Sequence, residues 1–233
     1  MNLINLSLRT LSLLQRYWNK SKITIVGSKG TFFVFHEVDA ENRHNVEPSS
    51  FCSIDLFKKV LKEHESKFCS IDEFVDSDCK NKVVVTFDDV PKSVYVNAYP
   101  LLCELNIPFV IYLSPKFIGQ NGFLSVVQIK EMAANPLCTI GSHTMKHVKL
   151  RMENDSYDDM HDSKVAVEEI IGKPVYHLAY PYGRADSISC KVRKEAKMAG
   201  FKTATCTIPT KVAKCFDKWY IPRVAILLDL SIR

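Results

Sequence analysis

Val83-Val84-Val85-Thr86-Phe87 runs straight into two adjacent carboxylates, Asp88 and Asp89. Two like charges side by side repel, so something must reward the placement. Either the pair is a solvated turn, or the two acids do different jobs. A second stretch, Gly141-Ser142-His143-Thr144-Met145-Lys146-His147, sets two imidazoles four residues apart. On a helix both would project from one face and could hold one cation. In a chain with seven histidines such a spacing also arises by chance. Joined by a carboxylate from another strand end, the pair becomes a three-ligand site with open positions, the mark of a catalytic rather than a structural metal. One Asp would bind the cation, whose charge offsets the repulsion and keeps the neighbour ionised. That neighbour could then take a proton from water, whose pKa falls from about 9 on aqueous zinc toward about 7 in a protein site.

The elements that must position these residues are legible as an alternation. Strand-like runs are "FFVFHEV", "KVVVTFD", "PFVIYLS", "LCTIGSH", "YHLAYP", "KTATCTI" and "YIPRVAI". Helix-like segments fall between most of them, around residues 53–66, 93–105, 124–134, 162–171 and 188–199. Strands alternating with helices predict parallel β/α construction, here a small or incomplete barrel. The Asp pair, "SHTMKH" and "YPYG" all lie at C-terminal strand ends, where such barrels carry their chemistry. "FCSIDLF" at Phe51 and "FCSIDEF" at Phe68 each predict a serine-capped helix start. Ser28-Lys29-Gly30, flanked by two β-rich runs, predicts a hairpin turn.

The 233 residues are 46% hydrophobic and 24% charged, an ordinary globular composition for one or two domains. The net charge of +5 is unevenly placed: residues 1–30 hold Arg9, Arg16, Lys20, Lys22 and Lys29 and no acid. No basic stripe with interleaved aromatics occurs elsewhere, so no nucleic-acid partner is expected. The eight cysteines form no C-x-x-C pair and read as reduced thiols of a cytoplasmic protein, although an even count leaves disulfides open. Residues 1–22 are expected to form an amphipathic helix ahead of a catalytic domain at 23–233. Its basic groups fall on one side, so it either packs on the domain or makes peripheral contact with a membrane surface through residues 1–20. No secretory leader is read there, because Arg9 and Arg16 interrupt the apolar run. The expected location is cytoplasmic, at the inner membrane face.

"TFDD", "SHTMKH" and "AYPYG", in this order, resemble the polysaccharide deacetylase (NodB-like) family of carbohydrate esterases. The resemblance implies a distorted (β/α)7 barrel that removes N- or O-acyl groups from sugars with a divalent metal, Zn2+ first, with Co2+ or Ni2+ as alternatives. It implies Asp88 as the base, Asp89, His143 and His147 as metal ligands, and the backbone N–H of Tyr182 as donor to the developing oxyanion. The chain also departs from the family's pattern. Val90 stands where Gly is frequent, Ala179 where many members have Arg, and the late Leu-x-His that supplies a general acid is missing. One branch, resembling enzymes that deacetylate biofilm glucosamine polymers, replaces that late His by an early strand-end His. By this resemblance His36 is the candidate acid and Arg223 a candidate partner for Asp88. His177, on the strand leading to "YPYG", reads as structural. Trp219 and Tyr220 could stack on a sugar or pack on the core.

The expected function is therefore metal-dependent removal of an N-acyl group, acetyl first, from an amino sugar in a glycan or glycan precursor. Two alternatives stay open: deformylation or deacylation of a lipid-linked sugar precursor, and a non-catalytic carbohydrate-binding relative.

Overall fold

The computed structural model describes residues 28–41, 51–77, 80–213 and 216–226. The helix expected over 1–22 lies outside the described residues. In chain order, β1 (Ser28–Phe35), β2 (Glu37–Val38) and β3 (Phe51–Cys52) precede helix α1 (Ile54–Glu63) and helix α2 (Ile71–Asp76). Strand β4 (Lys82–Asp88) is followed by a π-helical turn, Val94–Ala98, that runs into α3 (Tyr99–Glu104). Then come β5 (Phe109–Leu113), α4 (Val126–Ala134), β6 (Cys138–Ser142), α5 (Ser156–Ile171), β7 (His177–Ala179) and α6 (Cys190–Met198). The short strands β8 (Thr203–Thr205), β9 (Val212–Ala213) and β10 (Val224–Ala225) close the described order.

Seven strands follow one another in the order β10-β1-β4-β5-β6-β7-β8. Every pairing along this path is parallel. They correspond to the seven runs legible in the sequence. The two ends of the path meet, because Ile221, just ahead of β10, bridges Thr205 in parallel. The result is the expected distorted (β/α)7 barrel. Its distortion sits where the alternation lapses: between β8 and β10 no helix occurs among the described residues, and β9 pairs antiparallel with the start of β1.

Strand periodicity explains what fills the barrel. Alternate residues face opposite sides of a sheet. Val83, Val85 and Phe87 join Phe109, Ile111, Leu178 and the helix residues Phe57, Leu102, Ile129 and Val192 in the layer between barrel and helices. Phe32, Val84, Val110, Tyr112 and Ala179 form a separate cluster, plugged by Ile71 and Phe74 of α2. This second cluster is the barrel interior. By the same parity Asp88 follows Val84 and Thr86 inward, and His143 follows Gly141.

Both "FCSID" serines cap as the sequence predicts: Ser53 Oγ accepts from Leu56 N–H at 3.2 Å and Ser70 Oγ from Glu73 N–H at 3.1 Å. The expected turn at Ser28-Lys29-Gly30 is instead part of β1. Its glycine marks a shift of register against β9, the other common use of glycine in a β-rich run. The six cysteines among the described residues are free thiols. Among the described residues no helix is long and apolar enough to cross a membrane.

One glycine is dictated by close approach. Tyr112 pairs with Gly141 across β5 and β6, and its ring lies where a Cβ would stand, 2.4 Å from Cδ1 and 2.6 Å from Cε1. Gly141→Ala should therefore destabilise the protein by about 1–3 kcal/mol through overpacking. In urea denaturation, combining it with Tyr112→Leu should cost less than the sum of the single changes. An additive pair would show that the ring does not impose the glycine.

Candidate active site

At the C-terminal end of β4 the chain solves a geometrical problem. Consecutive strand residues point to opposite faces, so Asp88 and Asp89 could not share a site if the strand continued. It does not continue. Val90 N–H donates to Asp88 O at 2.6 Å, and Asp89 between them has φ +58°. This is a γ-turn with a left-handed centre, a rare and strained device. The end of β7 repeats it: Gly183 N–H donates to Pro181 O at 2.7 Å around Tyr182, at φ +62°. Both turns fold back over the barrel mouth.

Asp88 is 2% exposed and lies inside the barrel. Arg223, fully buried, donates to it twice, Nη1 to Oδ1 at 2.7 Å and Nη2 to Oδ2 at 2.5 Å. The same guanidinium donates to Thr86 Oγ1 at 3.1 Å and to the Cys206 carbonyl at 3.3 Å, and lies 5.4 Å from the Tyr112 ring centre. Burial, the largest single influence, opposes the charge on Asp88. Arg223, His143 and His36 together outweigh it and hold the carboxyl below its ordinary value.

Asp89 is held differently. Its Oδ1 lies 3.1 Å from His147 Nε2 and 3.5 Å from His143 Nε2. Donor atoms of Asp89, His143 and His147 all fall within 4.8 Å of one another. Burial again opposes the charge most strongly, and closeness to His147, His143 and His36 overrides it, so Asp89 is also held well below the usual carboxylate range. Burial lowers the pKa of His143, which favours the neutral ring a cation needs. His143 Nδ1 sits 2.7 Å from the Ala179 carbonyl, which can only accept, so Nδ1 carries the proton and Nε2 presents its lone pair to the site.

A divalent cation fits this set. Asp89 Oδ1 is buried, and the side chains nearest it are the two imidazoles, His147 Nε2 at 3.1 Å and His143 Nε2 at 3.5 Å. One carboxylate and two imidazoles, all aimed at a common point, suit zinc and its neighbours.

The two histidines do not converge by helical spacing. Residues 143–149 are irregular, with Thr144 at φ +65° and His147 at φ +52°. Two left-handed residues bend the segment so that the imidazole rings lie 5.0 Å apart. The segment is held from behind: Ser114 Oγ donates to Thr144 O at 2.8 Å, Lys146 N–H to Asp159 Oδ1 at 3.1 Å, and Met145 N–H to Asp159 O at 3.2 Å. Asp159 and Ser114 carry no sequence signal.

His36 follows β1, whose Phe35 pairs with Phe87, which places it beside Asp88 at the mouth. It is close enough for its charge to act on both aspartates. Tyr182 is half exposed, and among the described residues its backbone N–H meets no acceptor. Its turn is fixed by Thr207, whose hydroxyl donates to Tyr182 O at 2.7 Å. The rings of Phe117 and Tyr182 stand 5.2 and 5.3 Å from that of His147. His177 is not at the mouth: it is buried at the start of β7, with Nδ1 2.9 Å from Thr203 Oγ1 and Nε2 3.5 Å from Asp72 of the plug helix. Trp219 and Tyr220 pack against the core.

Comparison with known proteins gives the family and the fold. The sequence profile of the polysaccharide deacetylase family matches residues 76–204, and the chain belongs to that family. It is 30% identical over 191 residues to the poly-beta-1,6-N-acetyl-D-glucosamine N-deacetylase of Staphylococcus epidermidis, covering 72% of this chain and 64% of the relative. The protein of the same description from Staphylococcus aureus strain MRSA252 is 28% identical over 191 residues, with 73% of this chain covered. The chain spans 65% of that relative's length. A solved polysaccharide deacetylase from Bacillus cereus superposes with a TM-score of 0.74 at 26% identity, covering 85% of this chain and 65% of its own. A Streptococcus pyogenes deacetylase solved with acetate shares the fold, with a TM-score of 0.76 at 21% identity over 88% of this chain and 95% of its own.

The Asp88–Arg223 pair generates a stability prediction. Removing one partner of a buried pair strands the other charge, at a cost of about 3–5 kcal/mol. In metal-free protein at pH 7, Arg223→Met should lower unfolding stability by that amount. Because the folded pKa of Asp88 lies below the unfolded value of about 3.9, the pair's contribution is present above that value and is lost as pH falls through the folded one. The gap between variant and parent should therefore narrow on acidification. A gap of less than about 1 kcal/mol at pH 7, the range of an exposed pair, would contradict the buried pairing.

Proposed function

We propose that the chain hydrolyses the N-acetyl group of N-acetylglucosamine residues in a glycan, using a divalent cation held by Asp89, His143 and His147. The observation that carries this reading is the division of the aspartate pair: one carboxylate is locked to an arginine inside the barrel, while the other, one residue on, meets two imidazoles at its mouth. A solvated turn would bury neither. The names of the staphylococcal relatives support a β-1,6-linked polymer as the substrate class.

When bound, the cation would polarise the acetyl carbonyl and make water a stronger acid. The rest of the chemistry belongs to the chain's own residues. Asp88, kept ionised by Arg223, accepts a proton from the attacking water as its oxygen bonds to the acetyl carbon. The oxygen that gains charge receives the free N–H of Tyr182, in a turn that Thr207 has already fixed, so no reorganisation is needed. His36 then gives a proton to the sugar nitrogen as the C–N bond breaks, because an amine anion is too poor a leaving group. The products are acetate and a free amino sugar. Phe117 and Tyr182, on either side of His147, offer apolar faces to the sugar.

The test is acetate release from β-1,6-linked N-acetylglucosamine oligomers by the zinc-loaded chain, with elemental analysis of each variant. Asp88→Asn should keep about one ion per chain and lose ~10²–10⁴-fold in kcat, whereas Asp89→Asn should lose the ion. An Asp88→Asn protein that has lost its metal would reverse the roles of the pair. Full activity in that variant would remove Asp88 from the chemistry.

A further inference from the structure

The backbone around the two histidines is held against its own preference. Thr144 is β-branched and sits at φ +65°, where L side chains, and branched ones above all, are rarely found. His147 adds a second left-handed residue at φ +52°. Conformations of this kind cost of order 1–3 kcal/mol each and persist only where their surroundings over-determine them. The restraint here comes largely from one helix. On α5, Asp159 and Ser163 lie four residues apart and so share a face. Ser163 Oγ is 2.7 Å from Ser142 Oγ, directly before His143, and Ser163 is fully buried. Asp159, 3% exposed, takes the two successive N–H groups of Met145 and Lys146, one on its main-chain carbonyl at 3.2 Å and one on its carboxylate at 3.1 Å. Its remaining oxygen, Oδ2, and the Thr144 hydroxyl are both buried with no other partner, and the Thr144 side chain bears directly on the Asp159 carboxylate. From the other side Ser114 Oγ fixes the Thr144 carbonyl. A surface helix would ordinarily give this face to leucine or valine.

We propose that Asp159 is a positioning residue for the cation site: its carboxylate, with the Ser114 hydroxyl opposite, clamps the left-handed Thr144–His147 segment and so sets the direction of the His147 imidazole. The proposal rests on the reading of Asp89, His143 and His147 as the cation site. A clamped segment presents both imidazoles before the ion arrives. A released one must be reordered by the ion, at the expense of affinity. Groups that orient ligands in this way typically contribute 10–100-fold to metal affinity. Asparagine can replace the acceptor for Lys146 N–H, while alanine cannot.

The test is titration of the metal-free full-length chain with zinc, read as a dissociation constant beside the urea midpoint of each protein in chelator. Asp159→Ala should bind zinc about 10–100-fold more weakly than the unaltered chain, and Asp159→Asn should recover most of that loss. Should Asp159→Ala fail to fold, Ser114→Ala, which deletes one hydroxyl, probes the same segment and should also weaken binding. Affinity unchanged in the folded variants, while the unaltered chain binds one ion, would overturn the clamp and leave the site standing. An unaltered chain that binds no zinc would overturn both. A loss in Asp159→Ala matched by an equal loss in Asp159→Asn would make the carboxylate's charge, rather than its grip on the segment, the cause, and would also overturn the proposal.

Discussion

The structure turns on the buried pair of Arg223 and Asp88. A guanidinium with no solvent exposure is stable only if nearly all its donors are met and its charge is balanced. Arg223 meets Asp88 through two hydrogen bonds and also reaches Thr86 and the Cys206 carbonyl. It therefore ties the segment leading into the last strand, β10, to the third residue from the end of β4 and to the chain just beyond β8, across the irregular seam of the barrel. The pair adds side-chain links to the backbone bonds that close the seam, Ile221 N–H to Ala204 O and Cys206 N–H to Ile221 O. The proposed chemistry needs it too, because a carboxylate inside an apolar barrel would otherwise take up a proton. One contact thus serves closure and charge together, and Tyr112, given room by Gly141, supports it with a ring face.

With Asp88 so fixed, the neighbouring acid must be turned out of the strand, and the site does this with strain. Among the described residues, five of the eight non-glycine residues with positive φ are Asp89, Val90, Thr144, His147 and Tyr182. They end β4, β6 and β7 in tight reversals that bring the donor atoms of Asp89, His143 and His147 together and, among the described residues, leave the Tyr182 N–H without an acceptor. Val90 shows the cost most plainly. Its φ of +48° is one that a residue without a Cβ adopts freely and a β-branched residue does not. Valine holds it here because it is 1% exposed and packed into the apolar layer behind the barrel.

Much of the fold was legible because it follows from period and punctuation. The strand runs and the two serine caps are local patterns, and local physics decides them. The aspartate pair and the two histidines were legible as chemistry, since like charges and clustered imidazoles demand a reason. What the sequence hides is long-range. By residue pattern alone Arg223 in "YIPR" looks like any surface arginine, and only the family resemblance offers it as a partner for Asp88; its complete burial shows once the barrel closes around it. Asp159 lies among other acids, Asp155, Asp158 and Asp162, and nothing in that run sets it apart, yet it is almost fully buried. The four-residue spacing of the histidines would bring them together on a helix, but the segment is not helical. Left-handed backbone reaches the same convergence, and no propensity announces it in Thr144. The turn expected at Gly30 failed because glycine marks bulges as well as turns.

The central claim is that Asp89, not Asp88, joins the two histidines around one cation. X-ray absorption at the zinc edge of the loaded protein reads the atoms bonded to the ion directly. The account predicts two imidazole nitrogens at about 2.0–2.1 Å and carboxylate oxygen at about 2.0–2.2 Å, with no sulfur, and an unchanged spectrum when Asp88 is replaced by Asn. A thiolate at about 2.3 Å, a single imidazole, or a spectrum that loses its carboxylate oxygen in Asp88→Asn would contradict it.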